Sequence, residues 1–118
     1  MKRVKTEGVG SCDVVVGDPK KAVEGADVIY ADVWASMQQK DEAASREEVF
    51  APYQVNEELM AATGKSDTIF LHCLPAERGR EVTDGVMESS QSHVYRQAEN
   101  RMHAQNAVMV FCANAARP

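Results

Sequence analysis

The feature that most constrains the fold is a short apolar run at residues 68–72 (TIFLH). An apolar run without polar alternation is typical of a parallel strand that is covered on both faces. A helical pattern precedes the run; Asn56 is suited to cap its start and Gly64 to end it. Because parallel strands are joined by crossover connections that are usually helical, this combination predicts an α/β domain.

The same alternation of short strand patterns and helical patterns extends along the whole chain. We predict further strands at residues 12–16, 28–31 and 93–95. We predict helices at residues 19–24, 41–49, 57–62, 84–87 and 97–113, the first, third and fourth capped by Asp18, Asn56 and Thr83. The expected architecture is a mostly parallel sheet flanked by helices, with a long C-terminal helix.

Composition restricts the partners that such a domain would have. The chain has 118 residues, which is enough for one domain, and its net charge of -5 argues against a general nucleic-acid binder. The three cysteines are widely spaced and show no metal-binding pattern with the histidines, which favours a reducing compartment and no metal site. No apolar segment is long enough to span a membrane, and the N-terminus lacks the apolar core of a signal peptide.

Ligands of parallel sheets bind beyond the carboxyl ends of the strands, and the loop after residues 28–31 carries suitable groups. Asp32 can accept a ligand ammonium, and Ser36 with nearby backbone N–H groups can hold a carboxylate. Together they suit the head of an α-amino acid. From spacing alone the alternative is structural: Asp32 caps a turn, Trp34 fills the core and Ser36 caps the next helix.

The loop after residues 68–72 contains His72, Cys73, Leu74 and Pro75. A cysteine beside a histidine at a strand end can have a lowered pKa and act as a base or nucleophile. Pro75 permits a cis peptide bond, which would present the Leu74 carbonyl in a fixed direction. The alternative is a buried structural cysteine followed by a loop proline.

A third group of polar residues lies early in the last helix, where Arg101 follows Glu99 and Asn100. The planar guanidinium of arginine suits carbonyl and phosphate oxygens, and the start of a helix also favours anions. The alternative is a solvated helical face on which both charged side chains are exposed.

In order and spacing, four segments of the chain closely resemble the ornithine carbamoyltransferases. They are residues 32–37 (DVWASM), 50–56 (FAPYQVN), 72–79 (HCLPAERG) and 97–107 (QAENRMHAQNA). The resemblance implies a partial Rossmann-like parallel sheet, and it implies that residues 1–118 are an incomplete ornithine-binding second domain. The Ser-x-Arg-Thr and His-Pro-x-Gln segments of the family's carbamoyl-phosphate domain do not occur in this chain. We therefore expect that domain to be absent and the segment alone to be inactive.

The resemblance also implies an activity, partners and a location. The family transfers a carbamoyl group from carbamoyl phosphate to the δ-amine of L-ornithine and forms L-citrulline in arginine biosynthesis, without a metal or organic cofactor. The full-length family forms homotrimers. Two alternatives stay open: a carbamoyltransferase for another amine, such as putrescine or acetylornithine, and a non-catalytic fragment that binds an amino acid or a partner subunit. The last segment resembles plant and algal members, which suggests a plastid, with the mitochondrion or cytoplasm as alternatives.

The resemblance assigns the ornithine contacts to the first loop. Asp32 matches the position that contacts the amino-acid group of ornithine, and Ser36 and Met37 match the loop that closes over it. The family usually has glycine at the next position, where this chain has Gln38. Because glycine tolerates backbone angles that glutamine does not, this departure concerns the loop of Ser36 and Met37 and leaves the match of Asp32 unchanged.

The resemblance assigns the carbamoyl-phosphate contacts to the second loop and the last helix. Cys73 matches a cysteine near the reacting amine that is treated as the proton acceptor. Leu74 matches the residue that offers its backbone carbonyl to the substrates. Arg101 matches the arginine that holds the carbonyl oxygen of carbamoyl phosphate, while His72 and Pro75 match residues that shape the loop.

Overall fold

The structure is a computed structural model that describes residues 13–14, 17–34 and 43–115. In these ranges the chain alternates strands with helices, as the apolar run predicts. The strands are β1 (Val28–Ala31) and β2 (Ile69–His72). The helices are α1 (Pro19–Val23), α2 (Ala43–Phe50), a short 3₁₀ helix (Ala51–Tyr53), α3 (Glu57–Ala61), α4 (Asp84–Met87) and α5 (Val94–Ala115).

The two strands lie side by side and run parallel, in a register that pairs Val28 with Ile69 and Ala31 with His72. On its other side, β2 contacts the segment before α5: the Phe70 N–H donates to the Gln91 carbonyl at 2.8 Å. Parallel neighbours that end in register bring the residues after them to one edge of the sheet. This register therefore decides which loops can share a site.

The predicted helix boundaries are confirmed where local capping decides them. The Asp18 carboxylate accepts the Lys21 N–H at 3.2 Å, the Asn56 amide oxygen accepts the Leu59 N–H at 2.9 Å, and Thr83 Oγ1 accepts the Val86 N–H at 3.3 Å. A side-chain oxygen at this position satisfies a backbone donor that the first helical turn leaves unpaired. The three short helices therefore begin where their polar residues predict.

The structure confirms the strand predictions for β1 and β2 but not the other two. The predicted strand at residues 93–95 is wrong, because the Gln97 N–H donates to the His93 carbonyl at 2.9 Å and α5 begins at Val94. Of the predicted strand at residues 12–16, Asp13 and Val14 have no regular structure, and the others lie outside the described residues.

The core lies between the sheet, α3, α4 and the start of α5. Its buried apolar side chains are Ile29, Val55, Leu59, Met60, Phe70, Val82, Val86, Met87 and Val94. Phe70 is fully buried, whereas the described residues of α5 after Gln97 are all exposed. None of the described helices combines the length and apolar character needed to cross a membrane.

We predict that Phe70→Ala lowers the free energy of unfolding by about 3–5 kcal/mol, because it removes the fully buried ring of β2 and leaves a cavity. Urea denaturation followed by circular dichroism would measure the loss. Val49→Ala is the control: Val49 is 65% exposed, so its loss should change stability by no more than about 0.5 kcal/mol. Equal effects of the two substitutions would contradict the described core.

Candidate active site at the ends of the two strands

Asp32 and Cys73 meet at the carboxyl edge of the sheet. Each is the first residue after its strand, and the pairing of Ala31 with His72 places them next to each other. The Cys73 thiol donates to Asp32 Oδ1 at 3.0 Å, and the Val33 N–H donates to the same oxygen at 2.8 Å. The structure thus joins the two loops that the sequence analysis selected, and it leaves the Asp32 carboxylate exposed.

The contact between these groups changes the acidity of both. Partial burial is the main cause that raises the pKa of Cys73, and the hydrogen bond to Asp32 and the negative charge of Asp32 raise it further. The hydrogen bond from Cys73 is the main cause that lowers the pKa of Asp32, and the Val33 N–H contributes. The predicted lowering of the cysteine pKa is therefore wrong for this structure, because the thiol is partly buried and donates to a carboxylate.

The histidine before Cys73 points into the protein and shapes the loop. The His72 ring is buried, and its Nδ1 accepts the Leu74 N–H at 2.9 Å. The Leu74–Pro75 peptide bond is cis, which Pro75 permits, and Leu74 has a φ of 54°. This left-handed backbone is unusual for leucine, so the loop depends on such contacts.

Arg101 lies on the wall of a cavity that also contains Cys73. The cavity has a volume of about 470 Å³ and is lined by Tyr30, His72, Cys73, Gln97, Ala98, Asn100, Arg101 and Ala104. Arg101 is exposed, and no described residue forms an ion pair with it. The site therefore combines an exposed carboxylate after β1, a thiol after β2 and a guanidinium on α5, which suits a ligand with both cationic and anionic groups.

Gln97 is a site residue that the sequence analysis missed. Its Oε1 accepts the His72 N–H at 3.1 Å, and it precedes Arg101 by one helical turn. Gln97 thus ties the end of β2 to the helix that carries the guanidinium. The local signal available in the sequence was its position one turn before Arg101 on the same helical face.

Other site predictions are only partly addressed by the structure. Ser36, Met37 and Gln38 lie outside the described residues. Trp34 is half-buried and stacks on Phe50 with ring centroids 6.2 Å apart, so the end of the Asp32 turn packs against α2. Within the described ranges, no group of three or more histidine, cysteine or acidic side chains has the arrangement of a metal site.

We predict that the pKa of Cys73, measured from the pH dependence of thiol alkylation, lies above that of an ordinary exposed cysteine. Asp32→Asn should lower it by removing the negative charge, but only in part, because the burial of the thiol remains. The parent chain and the Asp32→Asn variant would both carry Cys12→Ser and Cys112→Ser, so that Cys73 is the only thiol available for alkylation. Asp27→Asn, at the opposite end of β1, should have no effect; a Cys73 pKa below the ordinary value would refute the described contact.

Comparisons with known proteins place the chain in a family. The family model described as "Aspartate/ornithine carbamoyltransferase, Asp/Orn binding domain" matches residues 1–112. The chain is 56% identical over 110 residues to the chloroplastic ornithine carbamoyltransferase of Pisum sativum, which covers 93% of this chain and 29% of that protein. It is 61% identical over 94 residues to the ornithine carbamoyltransferase of Thermococcus kodakarensis, covering 80% of this chain and 30% of that protein.

A solved structure supports the same assignment. The ornithine carbamoyltransferase from Pyrococcus furiosus matches with a TM-score of 0.81 and 53% sequence identity, over 91% of this chain and 34% of that one. The chain thus spans about a third or less of the length of these relatives. The fold is that of their Rossmann-like domain, and the chain belongs to the aspartate/ornithine carbamoyltransferase family, where it matches the domain that binds the amino acid.

Proposed function

We propose that this chain supplies the ornithine-binding half of an ornithine carbamoyltransferase, which forms L-citrulline and phosphate from carbamoyl phosphate and L-ornithine. The observation that carries the proposal is the Asp32–Cys73 contact beside the cavity that Arg101 lines. Residues 1–118 then form an incomplete second domain, and the carbamoyl-phosphate domain is absent from it. L-Ornithine and carbamoyl phosphate are the proposed small-molecule partners.

Ornithine recognition follows from the charge of the first loop. The hydrogen bonds to Asp32 lower its pKa, so its exposed carboxylate is negative at neutral pH and suits the α-ammonium group. The proposed roles of Ser36 and Met37 are to close over the rest of the amino acid. The ornithine names of the relatives favour this substrate over another amine.

Carbamoyl transfer requires a neutral amine, a proton acceptor and stabilisation of the carbonyl oxygen. The pKa of the ornithine δ-amine resembles that of lysine, so the bound amine must lose a proton before it attacks. The raised pKa of Cys73 disfavours the thiolate, which makes the substrate phosphate the better acceptor and leaves the Cys73 thiol to orient Asp32. Arg101 would stabilise the negative charge that develops on the carbonyl oxygen. Leu74 would hold carbamoyl phosphate through its backbone carbonyl.

The assembly and location belong to the same proposal. A homotrimer is the assembly that the resemblance implies, and a plastid is the location that the chloroplastic relative of Pisum sativum favours. The activity also requires the Ser-x-Arg-Thr and His-Pro-x-Gln segments of the carbamoyl-phosphate domain, which residues 1–118 do not contain, so these residues alone should form no citrulline. If the chain formed more citrulline than its Arg101→Ala variant, the requirement for the carbamoyl-phosphate domain would be contradicted.

The activity can be tested in a chimaera, in which this chain replaces the matching segment of the Pisum sativum relative. The chimaera should form citrulline, and Arg101→Ala should lower its kcat by about 10²–10³-fold, because one donor to the carbonyl oxygen is lost. Arg96→Ala is a matched control, since Arg96 is an exposed arginine of α5 outside the cavity lining. If Arg101→Ala and Arg96→Ala retained equal activity, the role of Arg101 would be refuted.

Asp32→Asn in the same chimaera should raise the KM for ornithine by roughly 10–100-fold, which is the expected cost of losing one charged hydrogen-bond partner. The KM for carbamoyl phosphate should stay unchanged. Asp27→Asn is the control, because Asp27 is a carboxylate at the other end of β1 that pairs with Lys65 at 2.5 Å. An unchanged KM for ornithine in Asp32→Asn would refute the proposed contact between Asp32 and ornithine.

A further inference from the structure

Two buried polar side chains lie beneath the loop that carries Cys73. His72 Nε2 is 3.4 Å from Glu81 Oε1, and the two side chains are 0% and 1% exposed. Burying an imidazole and a carboxyl group is unfavourable unless each finds a polar partner. Neither residue is among the proposed contacts of ornithine or carbamoyl phosphate, so their burial indicates another role.

The hydrogen bonds of His72 fix the position of its ring proton. Nδ1 accepts the Leu74 N–H at 2.9 Å, and a nitrogen that accepts a hydrogen bond carries no proton. In the neutral ring the proton is then on Nε2, which lies 3.4 Å from Glu81 Oε1 and has no hydrogen-bond partner among the described residues. The opposite tautomer would set the Nδ1 proton against the Leu74 N–H.

Glu81 also holds the far end of the loop. Its Oε1 accepts the Glu77 N–H, so one oxygen lies between His72 at the start of the loop and Glu77 at its end. The Glu81 backbone is itself anchored, because its carbonyl accepts the Val55 N–H at 2.8 Å. A side chain on such a fixed backbone can act as a rigid support for the segment between the two contacts.

That segment has a conformation that its own residues do not favour. Leu74 has a φ of 54°, in the left-handed region that non-glycine residues rarely adopt. Such a residue keeps its conformation only where surrounding contacts impose it. The hydrogen bond from the Leu74 N–H to His72 is one such contact, and it depends on the tautomer of the ring.

We propose that Glu81 is a positioning residue, whose Oε1 keeps His72 in the Nε2–H tautomer and thereby holds the segment from Cys73 to Pro75 in the geometry of the site. Glu81 does not touch the substrates and acts through His72. The benefit to carbamoyl transfer rests on the proposed function, whereas the tautomer and the loop geometry can be measured without it.

The test uses the 118-residue chain, labelled with ¹⁵N, and reads the His72 ring by long-range ¹⁵N–¹H spectroscopy. We expect the Nε2–H pattern and slow exchange of the Leu74 amide proton. Glu81→Met keeps a similar volume but removes the carboxyl oxygen that lies beside Nε2, so it should give a mixture of tautomers and accelerate Leu74 exchange about tenfold or more. Glu81→Gln keeps an oxygen beside Nε2 and should retain the parent pattern.

Val82→Ala is the matched control, because Val82 is the adjacent, fully buried apolar residue. It should lower stability but leave the His72 pattern unchanged. The proposal is overturned if Glu81→Met keeps the parent pattern, or if Val82→Ala shifts the pattern as much as Glu81→Met does. Should Glu81→Met fail to fold, the parent and Glu81→Gln decide: a mixed or Nδ1–H pattern in either overturns the proposal.

The same variants separate this proposal from the proposed function. In the chimaera, Glu81→Met should lower kcat and Glu81→Gln should recover it. A chimaera that forms no citrulline, while the chain keeps the Nε2–H pattern and its dependence on Glu81, counts against the proposed function alone. Normal citrulline formation by the Glu81→Met chimaera counts against the positioning role alone.

Discussion

The parallel pairing of β1 with β2 is the constraint on which the rest of the site depends. Its register sets Ala31 opposite His72, so the next residues, Asp32 and Cys73, leave the sheet side by side. A slip of one residue would reverse the faces to which the side chains of a strand point. It would also separate the thiol from the carboxylate, and the apolar contacts of Phe70 in the core oppose such a slip.

The guanidinium of Arg101 is positioned by contacts of α5 and not by the strand register. Arg101 is on a helix whose described residues beyond its first turns are exposed, so few contacts fix its direction. Val94 anchors the helix in the core, and Gln97 joins it to the backbone of His72. Both contacts lie within two turns of Arg101. The position of the positive group relative to Cys73 therefore depends on the same residue, His72, that sets the loop.

Features decided by neighbours in sequence could be predicted from the sequence. Asp18, Asn56 and Thr83 cap helices because each side chain bonds a backbone group three residues ahead. The two strands also follow from local patterns, and Pro75 permits the cis bond that the structure has. The candidate site residues were selected by strand ends and by resemblance, and the structure brings Asp32, Cys73 and Arg101 to one region.

What could not be predicted depends on contacts between distant segments. The direction of the Cys73 pKa shift is set by burial and by a carboxylate 41 residues away in sequence. Glutamate is usually found on the protein surface, and only the fold shows that Glu81 is buried against His72. The strand expected at residues 93–95 fails because its apolar and aromatic residues suit a helix start equally well, and the hydrogen bond to His93 favours the helix.

The pKa of Cys73 that matters for catalysis is the one in the site with ornithine bound. An ornithine ammonium at Asp32 would offset the carboxylate charge, and that charge is one cause of the raised pKa of Cys73. The same ligand would exclude water from the thiol, and burial is the largest cause that raises this pKa. The two changes act on the Cys73 pKa in opposite directions. The proposal that the substrate phosphate accepts the proton therefore rests on the raised pKa of Cys73 in the free site.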